Sequence, residues 1–105
     1  MNSFEKDVLD TFKSLLTKRV RLQYLVLFGS RARGDADPDS DMDVLVVVDE
    51  LTKEVEDYIS DCAWEACFKH GIVMVPVVFS TDEWDRGPER SSLLAEAIRE
   101  EGIFI

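Results

Sequence analysis

Leu27-Phe28-Gly29-Ser30-Arg31-Ala32-Arg33-Gly34, followed after an acidic loop by Ser40-Asp41-Met42-Asp43-Val44-Leu45-Val46, is the most informative stretch of this 105-residue chain. Met42 to Val48 is apolar except for Asp43 and rich in valine, the composition of a strand covered on both faces. Leu22 to Phe28 is a second short run of strand formers, ended by Gly29. Alternate residues of a strand share a face. Asp41 and Asp43 are therefore expected side by side, with Met42 pointing the other way into the core. Two like charges that close raise each other's pKa unless a cation joins them. Mg²⁺ is the natural partner, because it takes one or two protein carboxylates and completes its octahedron with water and substrate phosphates.

The segment between the strands supplies a complementary feature. Gly29 permits a sharp turn and a close approach of backbone to a ligand. Ser30 is suited to opening a short helix, whose first N–H groups favour phosphate. Arg31 and Arg33 follow and are expected to neutralise phosphate charge. A phosphate cradle and a paired-carboxylate site on adjacent segments suit a metal-bridged nucleoside triphosphate. Either feature alone would read as a strand-ending turn or a solvated acid; the combination favours the functional reading. Rival motifs fail. A calcium loop starting at Asp35 would need Gly and Glu where Ser40 and Val46 stand. Gly29 and Gly34 have P-loop spacing, but Asp35-Ala36 replaces the Lys-Ser/Thr pair.

Working outward, Phe4, Val8, Leu9, Phe12, Leu15 and Leu16 recur at helical spacing, predicting an amphipathic helix over residues 2–18. A second helix is expected from Leu51 to His70, stopped by Gly71. Ile72 to Phe79 reads as a third strand, and Pro76 marks it as an edge or a bulge. Residues 80–90 read as a loop with a helical turn. Ser91 or Ser92 is expected to cap a last helix that ends at Gly102, with Ile103 to Ile105 as a terminal strand. The order α-β-β-α-β-α predicts one α+β domain over residues 1–105, a small mixed β-sheet with helices packed on it. His70 is expected to serve a helix end. Cys62 and Cys67, about 140° apart on the second helix, read as two buried thiols and not as a bridge.

Composition narrows the function. The chain carries 12 Lys+Arg against 22 Asp+Glu, a net charge of −10. A protein built to grip nucleic acid needs clustered cations, so that class is disfavoured. Residues 1–34 hold seven Lys+Arg, of which the group Lys18, Arg19, Arg21, Arg31 and Arg33 could face an anion, and the acids dominate after them. Asp35, Asp37 and Asp39 read as a solvated acidic loop. No apolar run reaches membrane-span length, and the first ten residues lack a signal-peptide core. A cytoplasmic location is the expectation.

The same residues support a resemblance. Gly29-Ser30, ten residues, then Asp41-x-Asp43 resembles the signature of the DNA polymerase β-like nucleotidyltransferase superfamily. The fuller string is similar to its minimal single-domain branch, the MNT proteins of HEPN/MNT pairs. The resemblance implies the polymerase β-like fold, with Gly29 and Ser30 holding the triphosphate and Asp41 and Asp43 holding Mg²⁺ (or Mn²⁺). It further implies transfer of a nucleoside monophosphate, with ATP as the expected donor, to a hydroxyl of a partner protein. That partner would be a HEPN-type helical protein for which this chain is the antitoxin. The family's third carboxylate has no counterpart in Ile72 to Phe79, where Met74 or Pro76 is expected in its place. A binding module that neutralises its partner without turnover is the alternative, and exposed sheet edges make a homodimer a further expectation.

Overall fold

In a computed structural model, residues 1–87 and 92–105 are described. Helix α1 (Ser3–Thr17) leads into β1 (Leu22–Phe28), a short α2 (Ser30–Arg33) and β2 (Met42–Val48). Then follow α3 (Lys53–Phe68), β3 (Met74–Ser80), α4 (Thr81–Arg86), α5 (Leu93–Glu101) and β4 (Ile103–Phe104). The strands form one mixed sheet in the order β3-β2-β1-β4. β1 runs antiparallel to β2 and β4, and β2 runs parallel to β3. The α+β sheet-and-helix architecture is as expected.

The apolar content of β2 is explained by cover on both faces. Met42, Val44, Val46 and Val48 pack with Leu25 and Leu27 against α1 (Val8, Leu9, Phe12, Leu16) and α3 (Ile59, Cys62, Ala63, Ala66). Leu45 and Val47 face the other way and join Val26, Ile98, Phe28, Phe79 and Trp84. Asp43 belongs to this second face by strand alternation.

Helix ends obey their caps. Asn2 and Glu5 form a reciprocal capping box on α1. Thr52 caps α3 at Val55, so that helix begins two residues later than its apolar pattern suggests. Ser80 and Glu83 form a second capping box, making a true helix of α4 where a looser turn was expected. Ser92 caps α5; the alternative, Ser91, and the rest of the expected loop at 88–90 lie outside the described residues. Pro76 pairs in register with Val44 on edge strand β3, so it marks an edge and no bulge. Cys62 and Cys67 are free and buried, and burial pushes both thiols up. His70 stands edge-on to the Phe4 ring at 4.8 Å.

Candidate active site

The site begins with strand register. Phe28 pairs with Asp43 across the antiparallel ladder, so the residue after Phe28 is delivered to the Asp43 carboxylate. That residue is Gly29, at φ +78° and ψ −157°, a conformation essentially reserved for glycine. A methyl group there would overlap Asp43 Oδ2. The turn and the acid pair are thus packed together. Ser30 then opens α2, which closes by hydrogen bonds from Ala32 and Arg33 N–H to the Gly29 carbonyl, and ends at Gly34 in the left-handed conformation.

Asp41 is exposed just before β2, Met42 is fully buried, and Asp43 is partly covered. Burial pushes the Asp43 carboxyl above the usual aspartate range, and the negative charge of Asp41 pushes it further. The Arg33 guanidinium pulls it partly back. Asp41 and Asp43 therefore share one electrostatic environment, which a divalent cation would relieve. In the metal-free protein, the Asp43 carboxyl is expected to titrate above the ordinary aspartate value in a ¹³C NMR pH series. Asp41→Asn should lower that midpoint without restoring it, because burial is the larger cause. The sign for stability follows. Folded Asp43 holds its proton more tightly than the unfolded chain, so it costs stability as pH rises from its ordinary to its raised value. An Asp43 midpoint unmoved by Asp41→Asn would separate the two carboxylates electrostatically.

The two arginines part company. Arg33 is 48% exposed and donates from Nη1 to Glu101 at 2.9 Å and from Nε to Asp35 at 3.3 Å. Arg31 is turned inward and is 5% exposed. Its Nη1 pairs with Glu5 at 3.1 Å, its Nη2 donates to the Pro38 and Ser40 carbonyls at 3.0 and 2.7 Å, and its Nε donates to Ser40 at 3.1 Å. The expectation that Arg31 faces phosphate is corrected here. Its donors are spent on the loop that leads into Asp41, and α2 rotates it to the side opposite Arg33.

Glu101 was not singled out from sequence. Its Oε2 accepts both the Gly29 N–H and Arg33 Nη1, each at 2.9 Å, so the end of α5 clamps the Gly29-Ser30 turn. No local pattern announces a contact between residues this far apart in sequence. Glu5 was also missed, although the Asn2-x-x-Glu5 capping box is legible. The place beside Asp43 on β3 is held by Val75, and not by Met74 or Pro76, which pair with Met42 and Val44 and face the α3 side. Among the described residues, no group of three or more His, Cys, Asp or Glu side chains is arranged to hold a metal ion. The available donors are two hard carboxylates with an anion-holding turn next to them. That set fits a Mg²⁺ ion that draws its remaining ligands from phosphate and water.

A mixed sheet with an acid pair entering a buried strand, beside a Gly-Ser turn, defines the nucleotidyltransferase class. The chain matches the nucleotidyltransferase domain family over residues 6–103, and it belongs to that family. Two proteins of Methanocaldococcus jannaschii, each bearing the name "putative protein adenylyltransferase", are similar to it. One is 34% identical over 80 residues, covering 75% of this chain and 75% of its own. The other is 34% identical over 84 residues, covering 78% of this chain and 79% of its own. The fold is shared with a toxin-antitoxin crystallised with AMP-PNP, at TM-score 0.63 and 20% identity over 90% of this chain and 69% of that one. A mutant of the toxin-antitoxin MntA-HpeT gives TM-score 0.63 and 19% identity over 92% of this chain and 70% of that one. Among the described residues no helix is long and apolar enough to cross a membrane.

Proposed function

We propose that this chain transfers a nucleoside monophosphate, AMP from ATP, to a hydroxyl of a partner protein, and serves as the antitoxin half of a toxin–antitoxin pair. The observation that carries this reading is the register of β1 on β2, which sets the Gly29-Ser30 turn against Asp43 with Asp41 beside it. The names of the relatives and the AMP-PNP of the structural neighbour support the donor and the protein acceptor.

In this reading Gly29 and Ser30 hold the triphosphate and Arg33 adds positive charge from the exposed side of α2. Arg31 acts from inside, by fixing the Pro38 and Ser40 carbonyls and so the approach to Asp41. Asp41 and Asp43 hold Mg²⁺ or Mn²⁺; such an ion, when bound, supplies Lewis-acid polarisation of the phosphoryl group and screens its charge. The acceptor hydroxyl gives up its proton to solvent as its oxygen bonds to the α-phosphorus, the bond from that phosphorus to the bridging oxygen breaks, and pyrophosphate leaves with that bond's electron pair. The acceptor comes from a helical, HEPN-type partner. A cytoplasmic setting suits both the triphosphate and the two free thiols.

Val75, apolar where a third carboxylate would complete the site, favours a second reading: nucleotide binding and partner neutralisation without turnover. One experiment separates them. The chain is incubated with α-labelled ATP, Mg²⁺ and the product of the neighbouring gene. Label on the partner, reduced about 10³-fold by joint Asp41→Asn and Asp43→Asn replacement (about 4 kcal/mol), supports transfer. A tight complex that never takes label supports neutralisation alone. Absence of both label and complex sinks both readings.

A further inference from the structure

The sheet face that carries Asp43 continues into a cavity that the phosphate site does not use. Leu45 follows Asp43 on that face at about 7 Å along the strand, and Val26 pairs with it across the ladder. Together they floor a cavity of about 620 Å³, walled by Trp84 from α4 on one side and by Tyr24 and Phe104 on the other. The rings are braced: Trp84 lies 5.5 Å from Phe79, and Tyr24 meets Phe104 edge-on at 6.0 Å. Gly102 brings bare backbone onto the floor, since a methyl group there would overlap the Val26 side chain and the Ile98 carbonyl. Gly102 also follows Glu101, which accepts the Gly29 N–H, so the phosphate turn and the cavity wall meet at consecutive residues.

This volume lies within the range of small-molecule pockets, and its lining sets three aromatic rings and an apolar floor, together with Asp85 and Arg99, beside the charged phosphate site. A nucleotide presents those two chemistries about one ribose apart. We infer that the cavity receives the base of the nucleotide whose triphosphate rests on Gly29-Ser30. The inference rests on the nucleotide reading above and adds the place of the base, stacked on or between aromatic side chains that tolerate any base with a π-face.

The chain has two tryptophans, and Trp64 sits on the exposed side of α3, across the sheet from the cavity. In a Trp64→Phe background, Trp84 is the sole indole reporter. Mg²⁺–ATP should change its fluorescence saturably, while Mg²⁺–tripolyphosphate, which has no base, should displace ATP without that change. By calorimetry, Trp84→Ala should weaken ATP about tenfold, the scale of one base–aromatic stack, and leave tripolyphosphate within twofold. Tyr24→Ala, at a more exposed ring, tests the opposite wall should Trp84→Ala fail to fold, with the same selective loss expected. Equal loss of both ligands, or ATP binding with a silent Trp84, overturns the base pocket while sparing the phosphate site. If neither ligand binds, the nucleotide reading falls and takes the base pocket with it.

Discussion

Arg31→Met is expected to lower the unfolding free energy by about 3–5 kcal/mol, the cost of leaving one member of a buried ion pair without its partner. Arg31 and Glu5 are each 5% exposed. With the guanidinium gone, a buried carboxylate and the Pro38 and Ser40 carbonyls lose their donors at once. Removing both charges, as Arg31→Met with Glu5→Leu, should recover part of this loss. It should not recover the α1 capping box that Glu5 completes, which is worth about 1 kcal/mol. Urea denaturation of the two single variants and the double variant measures each value. An Arg31→Met cost below about 1 kcal/mol would show that the pair is solvated and that the loop before Asp41 is held by something else.

The second large effect concerns Gly29. Gly29→Ala should reduce Mg²⁺–nucleotide binding at least about 100-fold, equivalent to about 2.7 kcal/mol. Two causes act together: the glycine-only backbone angle, at about 1–3 kcal/mol, and the overlap of the new methyl group with Asp43 Oδ2. Gly34→Ala separates them. Gly34 has nearly the same φ, +82°, but an added methyl group meets nothing within 4 Å. It should cost about 1–2 kcal/mol of stability and leave nucleotide binding within a few-fold. Equal loss of binding in the two variants would reduce Gly29 to backbone strain and remove its steric tie to the acid.

What could be read from the sequence divides along physical lines. The strands were legible because each is a short, nearly continuous apolar run. Asp41 and Asp43 were paired by strand alternation, yet Asp41 stands one residue before β2, and what ties the two is the charge of Asp41 acting on Asp43. Arg31 was misread because adjacency to Arg33 suggested a shared face. On a helix, residues two apart point about 200° apart, so one arginine goes outward and the other inward. The residue opposite Asp43 was misplaced by one position because register between parallel strands is set by tertiary packing, and a slip of one reverses every side chain. That error put Met74 or Pro76 where Val75 stands. α4 was undervalued although Ser80-x-x-Glu83 spells a capping box. Glu101 was out of reach altogether: its contact with Gly29 exists only once α5 has folded over the sheet.

Glu5 spends one carboxylate oxygen on the start of α1 and the other on Arg31. The opening turn of the polypeptide is thereby in mechanical series with the loop that aims Asp41. A label or tag at Asn2 would therefore bear on the same carboxylate that holds the loop before Asp41.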